Sequence, residues 1–141
     1  MSPRPALILG STSRYRRELL ERLRMPFTAV APDVDETPQP GEAPAALALR
    51  LAVAKAREVA ARHPGAVVIG SDQVADLDGQ PVGKPGNHTN AVAQLRAMRG
   101  RTVVFQTAVA VVCLESGFEQ MSLAPVEVKF RDLSDAEIES Y

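Results

Sequence analysis

Hydroxyl and guanidinium groups are concentrated in one short stretch, LGSTSRYRREL, at residues 9–19. Ser11 and Ser13 follow a glycine, and Arg16 is one of the three arginines that come next. A strand that enters a helix through such a turn leaves backbone N–H groups pointing outward, where the helix dipole adds partial positive charge. The turn therefore suits a phosphate group, to which the side chains add donors. Taken alone, the stretch favours a plain helix cap at Ser13 with solvated arginines.

Carboxylates occur at two further places. One is a proline-rich segment that contains Asp33, Asp35 and Glu36. Carboxylates on such a loop can hold a hard cation such as Mg²⁺. Taken alone, however, these residues favour a solvated acidic loop. Asp72 follows the apolar run AVVI within GSDQ. Ligands gather at the carboxyl ends of strands in open α/β sheets, so Asp72 is a candidate metal ligand or general base. A turn-forming Ser-Asp pair explains the same residues about as well.

Two of the three lysines complete the set of candidates. Lys84 stands between glycine and proline, where a point charge suits phosphate, although an exposed turn is the simpler interpretation. Lys55 lies four residues after Leu51 in an alanine-rich segment, where the pattern alone favours a solvated helix lysine. Together, phosphate donors, separate carboxylates for a metal and isolated lysines are the parts needed to cleave a phosphoanhydride.

The elements that must position these residues alternate along the chain. Apolar runs predict strands at 6–9, 27–31 and 66–70, and two longer β-rich stretches at 102–114 and 119–130. Helical patterns begin near Ser13 and cover 45–63 and 89–98, and Asp-Gly at 78–79 predicts a hairpin. The alternation of Val126, Val128 and Phe130 with charged residues predicts a half-buried strand. The expected fold class is α/β, with a mixed sheet flanked by helices.

Composition limits the classes of protein. The 141 residues fit one domain, and a net charge of −1 gives no whole-chain reason to expect a nucleic-acid polymer or a membrane as partner. Cys113 is the only cysteine, which fits a reducing cytoplasm.

Ser134 and Glu137 form a capping-box signature for a helix that reaches only Tyr141. Because so short a helix is marginal, we expect the sequence to be truncated at its C-terminus.

The order of the motifs resembles that of a known family. Leu-Gly-Ser-Thr-Ser-x-Tyr-Arg-Arg is followed by Val-Asp-Glu-Thr, Ala-x-x-Lys-Ala, Gly-Ser-Asp-Gln and Gly-Lys-Pro. Five motifs in this order resemble the Maf family of nucleotide pyrophosphatases over essentially the whole chain, which would then be a single Maf-like domain over 1–141. The resemblance implies hydrolysis of a nucleoside triphosphate to the monophosphate and pyrophosphate with a divalent metal, Mg²⁺ or Mn²⁺. It also implies a homodimer.

The resemblance also implies roles for single residues. Asp72 matches the catalytic acid of the family, usually called the proton acceptor. Glu36 matches the invariant glutamate of the loop, which helps to hold the metal, and Asp72 is a second metal ligand. Ser11 and Arg16 match the phosphate-binding turn. Lys55 and Lys84 match the two lysines that contact phosphate.

Two positions resemble the branch of the family that acts on 7-methyl-GTP. These are Tyr15, just before Arg16, and Gln73, directly after Asp72. A methylated guanine carries positive charge that an aromatic face attracts, and a glutamine offers both a donor and an acceptor to a base edge. The alternatives are the dTTP/UTP branch of the family, and a nucleotide-binding protein without turnover, linked to septum formation.

Overall fold

The computed structural model describes residues 6–82, 87–132 and 134–139. The strands are β1 (Leu7–Gly10), β2 (Thr28–Ala29), β3 (Val67–Leu77), β4 (Gln80–Val82), β5 (Thr102–Cys113) and β6 (Phe118–Lys129). The helices are α1 (Arg14–Glu21), α2 (Pro44–Arg62), α3 (His88–Met98) and α4 (Asp135–Glu139). Among these described residues, no helix is long and apolar enough to cross a membrane.

The strands form one mixed sheet in the order β2-β1-β3-β5-β6, and β4 pairs with the end of β3. β2, β1 and β3 run parallel, with Gly10 opposite Gly70. β5 is antiparallel to both β3 and β6. The α/β class with a mixed sheet and flanking helices, predicted from the sequence, is confirmed.

Helix α2 covers one face of the sheet and forms the core with it. Its buried residues recur every three or four positions, which gives one continuous face: Pro44, Leu47, Ala48, Leu51, Ala52, Lys55, Ala56, Val59 and Ala60. Alanines on this face allow a close approach. A Cβ built on Gly70 would lie 2.4 Å from the Ala52 carbonyl oxygen and 2.6 Å from the Ala56 nitrogen. The glycine in β3 therefore sets the height of α2 above the sheet.

Strand β3 is longer than the sequence predicted. It continues through Ser71 and Asp72 to Leu77, because β5 pairs with it from Val68 to Asp76. The predicted end of the strand at Gly70, and the turn at Ser71-Asp72, are therefore wrong. The predicted hairpin is confirmed, and both turn residues, Asp78 and Gly79, have positive φ, at 53° and 83°.

The half-buried alternation predicted for β6 is wrong. Its side chains are exposed along the whole strand apart from Leu123, and Val126 is 51% exposed. β6 lies at the edge of the sheet, where the core formed with α2 reaches Leu123, and the described residues leave the rest of the strand uncovered. An alternating pattern reports which face of a strand is apolar, and not whether another element covers it.

The capping box at the start of α4 is confirmed. The Ser134 backbone N–H donates to Glu137 Oε1, and the Glu137 backbone N–H donates to Ser134 Oγ, each over 3.2 Å. Ile138, in the same helix, is fully buried. This short helix thus contributes a core side chain as well as a capped end.

Candidate active site

The polar turn between β1 and α1 is a capped helix start. Ser13 Oγ accepts the Arg16 backbone N–H over 3.3 Å, and Ser11 Oγ accepts the Ser13 backbone N–H over 3.0 Å. Ser11 is buried, at 7% exposure. The predicted cap at Ser13 is confirmed. The other N–H groups of the first helical turn have no intrahelical acceptor, which keeps the turn suitable for an anion.

Lys55 lies on the buried face of α2, so the solvated lysine that its local pattern favours is wrong. Only 9% of the residue is exposed. Leu51 and Val59 lie one turn to either side of it on the same face. Burying an ammonium group is costly unless the charge is paired, so its partners determine whether the position is tolerated.

Two carboxylates supply this pairing. Lys55 Nζ lies 2.7 Å from Glu36 Oε1 and 3.1 Å from Asp72 Oδ1. Asp72 is buried, whereas 57% of the Glu36 side chain is exposed. A proline-rich loop, a helix and a strand thus bring these three charges to one point. Two carboxylates against one ammonium leave one negative charge there, which favours an additional cation.

The C-terminal part of the loop that carries Glu36 is bound to helix α2. Arg50 donates to both oxygens of Glu42, over 2.7 and 2.9 Å, and also to the Thr37 carbonyl over 3.1 Å. The Gln39 backbone N–H donates to the same carboxylate. Because Thr37 follows Glu36 directly, the Arg50–Glu42 pair fixes the backbone from which Glu36 reaches Lys55.

A second ion pair fastens the beginning of this loop. Arg62 donates to Glu58 and to the Ala31 carbonyl, each over 2.8 Å. The Asp33 backbone N–H donates to Glu58 over 3.1 Å. Of the three loop carboxylates singled out in the sequence, the structure brings only Glu36 to Asp72, since Asp35 accepts the Thr37 N–H of its own loop.

The Arg50–Glu42 pair predicts a pH dependence. The hydrogen bond from Arg50 lowers the pKa of Glu42 to about 2, from an ordinary value of 4.5, with a further contribution from the Gln39 N–H. A lowered folded-state pKa stabilises the fold above the unfolded-state value, and this contribution is lost as the pH falls from 4.5 through about 2. In urea unfolding, Glu42→Gln should therefore be less stable than the wild type by a constant amount above pH 5, and the difference should shrink below it.

The matched control for this measurement is Glu18→Gln. Glu18 pairs with Arg14 on an exposed face of α1, so its loss should change stability little at any pH. A stability difference for Glu42→Gln that stays the same down to pH 2 would show that the Arg50–Glu42 pair does not stabilise the fold through its charges.

Beside the three charges, one edge of β3 has a gap. β1 pairs with β3 only as far as Gly70, and β4 begins to pair on the same edge at Ala75. Within the described ranges, residues 71–74 have no strand partner on that edge, and we call this segment the β3 notch. Since side chains alternate along a strand, Asp72 faces α2 and Gln73 faces the opposite side of the sheet.

An apolar cleft of about 550 Å³ lies on that opposite side, between α1 and the sheet. Six apolar residues line it, namely Leu9, Leu19, Leu20, Leu23, Ile69 and Val109. The polar groups at its walls include Ser13, Tyr15, Arg16, Gln73 and Thr107. Mostly apolar clefts of this size with a few polar groups are typical of small-molecule sites.

A second cavity of about 350 Å³ lies on the other side of the notch. Glu36, Asp72 and Val82 line it, and Gln73 lines both cavities. Gln73, in the notch, therefore lies between the acidic cavity and the apolar cleft. Lys84, the remaining predicted phosphate contact, lies outside the described residues.

The donor groups fit a divalent metal. Mg²⁺ prefers oxygen ligands and is usually held by one or two carboxylates together with waters and substrate phosphates. Glu36 and Asp72 already converge on one cation, the Lys55 ammonium. Across the described ranges, no group of three or more His, Cys, Asp or Glu side chains could hold an ion. The buried Asp72 and the exposed Glu36 therefore match the arrangement typical of Mg²⁺, in which one or two carboxylates share the ion with waters and phosphate.

Sequence reasoning missed several residues of this region. Arg50 and Glu42 are eight residues apart and belong to no motif, so only the folded loop reveals their role. Thr107 lies within a β-rich run, and its contact with Gln73 depends on the register of β3 with β5. The capping geometry of Ser13, in contrast, had a clear local signal.

Comparison with known proteins adds family membership to this geometry. A protein from Polaromonas sp. strain JS666, named 7-methyl-GTP pyrophosphatase, is 73% identical over 135 residues, which are 96% of this chain and 62% of that protein. Proteins of the same name from Albidiferax ferrireducens and Bordetella pertussis are 70% and 62% identical, and 96% and 97% of this chain match 68% of each. The chain thus spans less than two thirds of the Polaromonas relative. The profile of the family described as Maf-like protein matches residues 6–141, and the chain belongs to the Maf family.

Proposed function

We propose that the chain hydrolyses 7-methyl-GTP to 7-methyl-GMP and pyrophosphate, with a divalent metal. The observation that carries the proposal is the convergence of Glu36 and Asp72 on Lys55, next to a notch that opens onto a cleft large enough for a base. The names of three relatives at 62–73% identity support the same substrate.

The two cavities suggest how a nucleotide lies. The base would enter the apolar cleft beside Tyr15 and Gln73, and the phosphates would pass the turn at 11–13 and enter the notch. Arg16 lines the cleft next to this turn, and its guanidinium would pair with phosphate oxygens. This path would bring the α–β anhydride to Asp72 and leave the base in the cleft, on the other side of the sheet from the acidic cavity.

Asp72 in the notch and the charged side chains around it have distinct roles in the proposed reaction. A divalent cation held by Glu36 and Asp72 would polarise the phosphoryl oxygens and favour attack by water. Asp72 would accept the proton of the attacking water at a carboxylate oxygen. Glu36 would remain bound to the cation. Lys55 and Arg16 offset negative charge on the phosphates, and Lys84 is proposed for the same task from the family motif.

The preference for a methylated guanine rests on the cleft. 7-Methylguanine carries positive charge, and an aromatic face attracts a cation within about 6 Å of the ring centre. Tyr15 is 69% exposed at the wall of the cleft, so its ring is available to a ligand. Gln73 supplies hydrogen bonds to the base edge.

The experiment that tests the proposal measures pyrophosphate release by the 141-residue chain with Mg²⁺. The panel contains 7-methyl-GTP, GTP, dTTP and UTP at equal concentrations. We expect 7-methyl-GTP to be cleaved fastest, with 7-methyl-GMP as the second product. Circular dichroism of the same sample shows that the chain is folded.

Other outcomes would contradict the proposal in different ways. Faster cleavage of dTTP or UTP would assign the chain to the other branch of the family. Nucleotide binding without pyrophosphate release by the folded chain would favour the non-catalytic alternative linked to septum formation.

We also propose that the chain is a homodimer, which the resemblance to the family implies, and that it is cytoplasmic, which its single cysteine fits. Analytical ultracentrifugation of the purified chain tests the oligomeric state. A single species at the monomer mass throughout the micromolar range would contradict the dimer.

A further inference from the structure

We propose that Arg50 is a positioning residue for the metal: through the Thr37 carbonyl it holds Glu36 beside Asp72, and it thereby sets the affinity of the site for a divalent cation. The inference rests on the proposed function, since it concerns the cation of that reaction. It adds a residue that belongs to none of the five sequence motifs and that acts through the backbone of the loop.

The position of the Glu36 carboxylate depends on its backbone. The Glu36 side chain is 57% exposed, so packing against neighbours does little to hold it. Asp72, in contrast, is buried in the middle of β3. One of the two candidate ligands is therefore fixed by the sheet, and the other is only as well placed as the loop that carries it.

The residues on either side of Glu36 form a small turn. Asp35 Oδ1 accepts the Thr37 backbone N–H over 3.0 Å, which closes the chain around Glu36. This bond gives the turn its shape, but both of its partners belong to the loop. The place of the turn relative to Asp72 must be set by a contact with another element.

Arg50 supplies this contact from helix α2. Its Nη2 donates to the Thr37 carbonyl over 3.1 Å, while Nε and Nη2 donate to the two oxygens of Glu42 over 2.7 and 2.9 Å. A guanidinium only donates, and carbonyl and carboxylate oxygens only accept, so the direction of each bond is fixed. Only 8% of the Glu42 side chain is exposed, so this pair is shielded from solvent.

Helix α2 also relates the contact to the candidate metal site. Lys55, whose ammonium meets the Glu36 carboxylate, follows Arg50 by five residues in the same helix, a rise of about 7.5 Å. Arg50 thus holds the backbone next to Glu36, while Lys55 meets the end of its side chain. Loss of the contact at Thr37 leaves the carboxylate free to move away from Asp72.

Substitution of Arg50 by lysine tests this geometry without a change of charge. Lysine can still pair with Glu42, but its ammonium does not reproduce the planar fork that holds Glu42 and the Thr37 carbonyl together. Long-range electrostatics at the site stay the same, because both side chains carry one positive charge. Arg57→Lys is the matched control, since Arg57 lies on the same helix and pairs over 2.6 Å with Glu119 of β6.

The probe is Mn²⁺, which takes the same kinds of oxygen ligand as Mg²⁺ and whose free form gives an electron paramagnetic resonance signal. We expect Arg50→Lys to lower the affinity for Mn²⁺ about tenfold, as residues that orient metal ligands do. Arg57→Lys should keep the wild-type affinity. Glu36→Gln removes the ligand itself and should lose at least as much as Arg50→Lys. Urea unfolding curves show that each variant is folded.

A second readout separates positioning from a merely structural role. In pyrophosphate release by Arg50→Lys, the KM for Mg²⁺ should rise by about the same factor as the loss of Mn²⁺ affinity. The kcat at saturating Mg²⁺ should stay near the wild-type value, because excess metal restores the occupied site. A general weakening of the fold would not be reversed by Mg²⁺ in this way.

The outcomes separate this inference from the proposed function. Wild-type Mn²⁺ affinity in folded Arg50→Lys overturns the inference and leaves the function intact. Equal losses in Arg50→Lys and Arg57→Lys, or a larger loss in Arg50→Lys than in Glu36→Gln, overturn it as well, because the effect would then not pass through Glu36.

The Mn²⁺ titration needs no turnover. A chain that shows the expected Mn²⁺ affinities but releases no pyrophosphate supports the placement of Glu36 by Arg50 and contradicts the proposed function alone. A wild type that binds no Mn²⁺ overturns the inference together with the assignment of the metal.

Discussion

Asp72→Asn is expected to lower the rate of pyrophosphate release by about 10²–10⁴-fold at saturating Mg²⁺, the usual contribution of a positioned general base. Asparagine has nearly the same shape, but it accepts no proton from water and is a weak ligand for a hard cation. Lys55 remains paired with Glu36 in this variant, so its buried charge is not left alone. The loss should therefore appear in kcat, with the fold retained. Steady-state kinetics with 7-methyl-GTP and a urea unfolding curve measure the two quantities.

The control for Asp72→Asn is Asp76→Asn. Asp76 lies further along the same strand, where its carboxylate accepts the Gly79 N–H of the hairpin, a contact that asparagine also makes. This variant should keep the wild-type rate. If folded Asp72→Asn retained most of the rate with the metal saturating, the assignment of Asp72 as proton acceptor would be wrong.

Gly70→Ala should be the most destabilising single methyl addition in the described core. Its Cβ would lie under 3 Å from backbone atoms of Ala52 and Ala56, and backbone atoms cannot rotate away as a side chain can. Helix α2 must rise from the sheet to admit the methyl group, which costs about 1–3 kcal/mol or more. The same movement separates Lys55 on the helix from Asp72 on the strand. Activity should therefore fall even at urea concentrations where the variant is still folded.

Gly10→Ala is the matched control, because Gly10 stands opposite Gly70 in the β1–β3 pair. A Cβ there would meet the Val59 side chain at 3.3 Å, and a side chain can yield by a few tenths of an ångström. The midpoint of urea unfolding should move much less than in Gly70→Ala. Equal shifts in both variants would show that the approach of α2 to Gly70 is not the limiting contact.

Features that depend on residues close in sequence were predictable. The cap at Ser13, the hairpin at Asp78-Gly79 and the box formed by Ser134 and Glu137 each arise from a few adjacent residues, and each is confirmed. Backbone sterics and short-range hydrogen bonds determine such features without help from the rest of the chain. The order of the motifs likewise identified the family.

Features that depend on pairing between strands were less accessible. The end of β3 was misplaced because Gly70 and Ser71 resemble a strand end, whereas the pairing with β5 carries the strand on to Leu77. The exposure of β6 was missed because an alternating pattern does not show that the strand lies at an edge. Both errors concern neighbours in space that no local window of sequence contains.

The sequence by itself determined the α/β class, the order of the elements and membership of the Maf family, since these follow from local patterns and motifs. Only the tertiary structure decided that Lys55 is buried between two carboxylates, and that Gln73 bonds Thr107. Lys55 and Asp72 are 17 residues apart, and Gln73 and Thr107 are 34 apart. Such contacts depend on the height of α2 above the sheet and on the strand register. Those are set by the packing of the whole core, not by the residues in contact.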